Sequence, residues 1–390
     1  MGLLMGMTPW SVFSAAAKSV FDRQSITLLC LVSTIMVLSR LMEDSGQLNR
    51  IVSSFNKTVG NRKIALIVMP ALIGLLPMPG GALFSAPMVD TACGGDDVDA
   101  AMKTAINYWF RHVWEYWWPL YPGVILAVSL LGVETWQFML VQLPFTVVSL
   151  VAGTVFLLRA LPERFNQICS QQDTRQRGDW RDFFREARPI LLIVLAIPVV
   201  HIFEAISGVS LASMTPIFIG LAVATIEVIR RNSMPFRQVA VALRSRSSYM
   251  LLLVIVAIMA FQGILIASHA VDGVKADMSS YGIPPLVIIL LMPFLSGLIT
   301  GIAVGFVGAS FPLIVPLIAQ HHGLDYLLHG SLAFVFGHMG QMLSPVHICL
   351  LVSKDYFSSR MFACYSHTIV LAGTILMTAL IVLSALELLI

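Results

Sequence analysis

The chain has 390 residues, of which 57% are hydrophobic and only 12% charged, and its mean hydropathy is +0.85. A soluble domain carries roughly 25% charged residues, so most of this surface faces something other than water. The net charge of +3 is too small to point to nucleic acid, and the five cysteines show no C-x-x-C pairing, which argues against a disulfide framework or a zinc ribbon.

Apolar runs recur at 26–41, 64–76, 122–131, 138–158, 190–200, 217–229, 250–266, 286–299 and 368–390. Stretches approaching ~20 residues with few charges predict membrane helices. The expected fold class is therefore all-α, a polytopic membrane protein whose first partner is the lipid bilayer. Residues 1–7 are apolar but lack the basic start of a cleavable signal peptide.

The first feature along the chain that carries chemistry is the run 76–87, LPMPGGALFSAP. Proline removes a backbone donor and glycine destabilises helix, so a helix should break here. In lipid a broken backbone is tolerated only where protein buries it or it lines a wet cavity. The free N–H groups at such a break attract anions. Pro79, Gly80, Gly81 and Ser85 are accordingly expected to bind substrate. Downstream, the run 300–312 (TGIAVGFVGASFP) repeats the pattern with smaller residues and adds Gly305, Gly308 and Ser310. The rival reading of both runs is close helix packing through small residues.

Each run is followed by polar groups at membrane depth: Arg111, His112 and Glu115 in the first half, and His338, Gln341, Ser344 and His347 in the second. Ionisable residues there are costly and usually line a pathway. Arg111 is read as a countercharge for an anion, with Gln341 and Ser344 as further substrate contacts. His112, Glu115, His338 and His347 are read as proton-coupling groups, because an imidazole titrates near working pH. Two blander readings stand beside these. Arg111 and Glu115, at i and i+4, could neutralise each other, and the histidines could be hydrogen-bonded packing residues. Pro119, Pro122 and Pro345 should interrupt these helices. The aromatic residues Trp109, Trp114, Tyr116, Trp117, Trp118 and Tyr121 predict an interfacial belt. No metal site is expected, since no H-E-x-x-H is present, and His321, His322 and His329 are placed in a loop.

The chain also repeats. At an offset of 223, Phe13 falls on Phe236, Arg23 on Arg246, and Met69-Pro70 on Met292-Pro293. At 226, Phe110, His112 and Pro119 fall on Phe336, His338 and Pro345. Short cytoplasmic loops are rich in Lys and Arg. The loop 230–248 has five Arg and no acid, whereas its mate 7–25 has only Lys18 and Arg23. The loop 42–63 has Arg50, Lys57, Arg62 and Lys63, whereas its mate near 265–286 has only Lys275. The basic member alternates between halves, which predicts inverted topology, a common transporter arrangement. The stretch 64–90 must then enter and leave on one side, as a re-entrant hairpin, and so must 284–319 from the other. The expected organisation is a first inverted repeat over 1–158 lacking its N-terminal helices, a cytoplasmic polar linker over 159–188 and a second inverted repeat over 189–390.

The segments 75–90 (LLPMPGGALFSAPMVD) and 305–317 (GFVGASFPLIVPL) resemble a prokaryotic integral-membrane family, domain of unknown function 401. That family is related to the gluconate permeases of the ion transporter superfamily. The resemblance implies two inverted repeats, each with a re-entrant hairpin and an interrupted helix, in the prokaryotic inner membrane. It also implies uptake of small carboxylates with a coupling ion and no cofactor. The paired Ser-Asn-Thr hairpin tips of sodium-coupled dicarboxylate relatives are absent, which favours proton over sodium. The expected protein is a secondary active transporter of a small organic anion rather than an enzyme, and a homodimer is compatible with this. Membrane-embedded enzyme and passive anion channel are the alternatives; no G-x-S-x-G motif supports the former.

Overall fold

A computed structural model describes residues 2–58, 61–78, 81–94, 98–161, 179–235 and 237–389. Helices are the only regular elements among them. In chain order they are α1 (Pro9–Val20), α2 (Arg23–Asp44), α3 (Gln47–Thr58), α4 (Arg62–Gly74), α5 (Ala82–Cys93), α6 (Ala100–Arg111), α7 (Pro122–Leu131), α8 (Thr135–Gly153), α9 (Trp180–Glu186) and α10 (Arg188–Ser207). There follow α11 (Thr215–Arg231), α12 (Arg237–Leu243), α13 (Arg246–Ala267), α14 (Ala270–Tyr281), α15 (Pro285–Thr300), α16 (Ala303–Ile318), α17 (Gly323–Met342), α18 (Ile348–Tyr356) and α19 (Met361–Leu389).

Among the described residues, five helices are long and apolar enough to cross a membrane: α2, α8 with its π-helical extension to Leu158, α10, α13 and α19. The protein is thus an all-helical chain with the makings of a multi-pass membrane protein. The other apolar helices are short. At 1.5 Å per residue, the 13 residues of α4 and the 12 of α5 reach about 20 Å, against a hydrocarbon core of ~30 Å.

Sequence signals set the ends. Asp22, Asn61, Asp99 and Ser245 accept hydrogen bonds from the first free N–H groups of α2, α4, α6 and α13, as N-caps do. Pro122 and Pro285 start α7 and α15, where a missing N–H costs nothing. In α3 the apolar Leu48, Ile51, Val52 and Phe55 are all buried. Their spacing makes one face of an amphipathic helix.

The halves of the chain interlock. α4 packs on α6 and α15 on α17, while α5 packs on α18 and α16 on α7. Each short hairpin therefore rests on one broken helix from its own half and one from the other. Glycine permits the closest approaches. A Cβ on Gly74 would lie 2.0 Å from the Arg111 carbonyl oxygen, and one on Gly297 would lie 2.2 Å from that of Gly337.

The aromatic residues do not form an interfacial belt. Trp109, Tyr116, Trp118 and Tyr121 are buried and Trp114 and Trp117 partly buried. The cause is the early end of α4, which leaves carbonyls without helical partners. Trp114 Nε1 donates to Ala71 O at 2.9 Å and Trp118 Nε1 to Leu75 O at 2.8 Å, while Tyr121 Oη donates to Gly74 O. Local turns take the remaining carbonyls of Leu72 and Ile73. Aromatic side chains thus cap a broken helix from within.

Candidate functional site

Two helix breaks meet in the interior. α6 stops at Arg111, residues 112–121 run through turns, and α7 resumes at Pro122. α17 stops at Met342 and α18 resumes at Ile348, with Ser344 and Pro345 between. Pro119, Pro122 and Pro345 thus sit in or at the edge of the breaks.

Arg111, His112, Glu115, His338, Gln341, Ser344 and His347 are all 6% exposed or less. Glu115 is their centre. Gln341 Nε2 donates to Glu115 Oε2 at 2.8 Å. His338 Nδ1 lies 3.8 Å from the same oxygen, and His112 Nε2 lies 3.7 Å from Oε1. The His112 ring meets the His347 ring edge to face, with centroids 4.8 Å apart, and the Tyr108 ring lies against both. His347 Nδ1 lies 3.1 Å from Gln341 O, and His112 Nδ1 lies 2.6 Å from Tyr108 O.

Arg111 does not pair with Glu115. The helix ends at Arg111, so the i, i+4 relation that would have aligned the two is lost. Its Nη2 instead donates to Met78 O at 3.1 Å and its Nη1 to Cys349 Sγ at 3.4 Å. Its buried Nε has no partner among the described residues. A guanidinium thus faces the break between α4 and α5. Gly81 caps α5 there, and a Cβ on it would lie 2.2 Å from Arg111 Nη2. Pro79 and Gly80 lie outside the described residues. Ser85 is fully buried and its Oγ donates to Ala82 O at 3.3 Å.

The second hairpin is arranged differently from the sequence expectation. Its break falls at Gly301 and Ile302, so Gly305, Gly308 and Ser310 lie inside α16. Gly308 packs on Ile258 of α13, and Ser310 Oγ donates to Phe306 O of its own helix at 2.7 Å. The residue at the break itself is Gly301, held at φ 65°, where a Cβ would lie 2.9 Å from Ser344 Oγ. Ser344 therefore sits against the second break, and Arg111 against the first.

Three contributors escaped the sequence reading. Asn107 Nδ2 donates to Ala82 O at 3.1 Å and to Ser353 Oγ at 2.8 Å, tying the first hairpin to α18. Tyr108 Oη donates to Met342 O at 3.0 Å and so caps α17. Cys349 adds the thiol beside Arg111. A polar residue such as Asn107 inside an apolar helix is itself a signal, since burying it needs partners. One nitrogen of His112, one of His347 and Cys349 Sγ lie within 4.8 Å of one another, a donor set that suits a soft cation.

No curated protein matches this chain. Family membership rests on one correspondence that spans almost everything described above, hairpins and helix breaks included: residues 8–386 match the family described as Protein of unknown function (DUF401), and the chain belongs to it.

Proposed function

We propose that the protein is a secondary active transporter for a small organic anion, driven by protons, in a prokaryotic inner membrane. The observation that carries this reading is the enclosed charge cluster at the two helix breaks. Arg111 presents an N–H without a described partner beside the first break, the place where an anion would gain both a countercharge and free backbone groups. Glu115, His338 and Gln341 supply a protonatable site in contact with the second broken helix. Ionisable groups at membrane depth mark substrate and ion pathways.

Helix boundaries support the inverted-repeat part of the reading. α13, α14 and α15 begin at the 223-residue offset from α2, α3 and α4, and α18 and α19 begin at the 226-residue offset from α7 and α8. The close approaches correspond too, Gly74 on Arg111 against Gly297 on Gly337. The short α4–α5 and α15–α16 pairs suit re-entrant hairpins, and the relation to gluconate permeases that the hairpin sequences imply would suit a carboxylate substrate. Gly305, Gly308 and Ser310 then shape α16 rather than touch the anion, and Gly301 and Ser344 flank it.

Uptake of labelled carboxylates into proteoliposomes, with and without an inward proton gradient, tests the reading. Accumulation that depends on the gradient supports it. A steady anion current without any gradient coupling points to a channel, and chemical conversion of the anion points to an enzyme.

A further inference from the structure

The corner between α16 and α17 carries a polar cluster apart from Arg111 and Glu115. His321 follows the end of α16, Asp325 lies in the first turn of α17, and His329 lies one turn further on. The sequence reading grouped His329 with loop residues; it is helical, because α17 begins at Gly323. Asp325 and His329, at i and i+4, therefore share one face of α17, and His321, just ahead of the helix, reaches the same carboxylate from the corner.

Their arrangement is specific. His321 Nδ1 lies 2.5 Å from Asp325 Oδ2, and His329 Nδ1 lies 3.0 Å from Asp325 Oδ1. His329 Nδ1 is also 3.0 Å from Asp325 O, the ordinary i−4 carbonyl. The two imidazoles stack at 4.0 Å with an interplanar angle of 21°. An aspartate near a helix N-terminus is favoured by the helix dipole alone. The dipole gives no reason for two stacked imidazoles to turn the same nitrogen toward the two oxygens of one carboxylate.

We propose that His321, Asp325 and His329 form a binding site for a divalent transition-metal cation of the zinc class. The three donor atoms lie within 4.8 Å of one another. Tetrahedral zinc with bonds of about 2.0–2.2 Å sets such donors roughly 3.3 Å apart, so shifts of about 1 Å or less seat the ion. Two imidazoles and a carboxylate suit zinc, nickel or copper better than magnesium or calcium. The side chains are 24%, 26% and 13% exposed, enough for an ion to enter from water and keep a water ligand. A bound ion would staple the end of α16, which packs on α7 and α13, to α17, which packs on α15. The site goes beyond the transport reading and stands without it.

The test is isothermal titration of the purified full chain in detergent with Zn²⁺ alone. It compares the unaltered protein with His321→Ala, His329→Ala and Asp325→Asn, and with a His347→Gln, Cys349→Ser double variant that removes the interior donors. We expect one Zn²⁺ per chain, weakened at least about tenfold in each corner variant, since loss of even an outer-shell partner costs 10–100-fold. The double variant should bind as the unaltered protein does. Thermal unfolding with a chelator present, unchanged in His321→Ala, shows that the loss is not misfolding. Absence of binding to the unaltered protein overturns the proposal. So does binding retained in the corner variants, or lost only in the double variant.

Discussion

Gln341 donates a 2.8 Å hydrogen bond to Glu115, and the two residues come from different halves of the chain. Glu115 lies in the turns after α6, and Gln341 in the last turn of α17. The contact joins the two breaks through one carboxylate. Any movement that separates α6 from α17 must break it, and protonating Glu115 removes the charge that strengthens it.

The first prediction follows from that bond. Glu115→Gln keeps the shape and removes the charge. In proteoliposomes, gradient-driven accumulation should fall at least about tenfold, equivalent to ~1.4 kcal/mol. Exchange of internal for external substrate at equal pH should persist. Loss of both activities in a folded variant would make Glu115 a substrate or structural group instead, and retention of both would remove it from the mechanism.

A second concerns the countercharge. Gly81→Ala would bring a Cβ to 2.2 Å from Arg111 Nη2. The guanidinium is the far end of a flexible side chain, so it should swing away from Met78 O rather than unfold the protein. The variant should keep its melting temperature and raise the substrate concentration for half-maximal uptake by about tenfold or more, as Arg111→Lys should, because lysine loses the fork of donors that suits a carboxylate. An unchanged half-saturation concentration in both would show that the anion binds elsewhere.

A third separates packing glycines from binding ones. At Gly74 and Gly297 the added Cβ meets backbone carbonyls at 2.0 and 2.2 Å, and backbone cannot swing aside. Gly74→Ala and Gly297→Ala should each destabilise by about 1–3 kcal/mol or more, the range for overpacking. Chemical denaturation in detergent measures it. Gly308→Ala meets the Ile258 side chain first, rather than backbone, and should cost less. An equal cost at all three sites would contradict these contacts.

Much of this architecture was legible in the sequence because membrane burial constrains it so tightly. Hydropathy located the apolar helices, and proline and glycine marked where α4 and α17 end and where α7 begins. The buried polar set at 111–115 and 338–347 stood out because charge is rare at that depth. What was hidden depended on rotation and register. Composition could not tell that Trp114, Trp118 and Tyr121 turn inward, since an indole N–H serves a carbonyl as well as it serves the lipid interface. The i, i+4 spacing of Arg111 and Glu115 misled because it presumes a continuous helix. The break at Gly301, rather than at Gly305–Gly308, depends on where the chain reaches φ 65°, which four nearby glycines could each have provided.

The last prediction tests the inverted arrangement with one pair of positions. Asn49 on α3 and Asp272 on α14 are related by the 223-residue offset, and both are exposed. If the halves were parallel, the two would lie on the same side of the membrane. If they are inverted, the two lie on opposite sides. Charge favours the second, since 42–63 carries four basic residues and 265–286 only one, and short basic loops remain cytoplasmic. On a cysteine-free background, a thiol reagent that cannot cross the bilayer should label Asp272→Cys in intact cells. It should label Asn49→Cys only after the cells are opened. Arg185→Cys at the end of the linker, itself 64% exposed as arginine, should behave as Asn49→Cys does. Labelling of Asn49→Cys and Asp272→Cys from one side alone would rule out inversion. It would also move the α4–α5 and α15–α16 hairpins to the same face, leaving the two breaks without the opposed approach that alternating access requires.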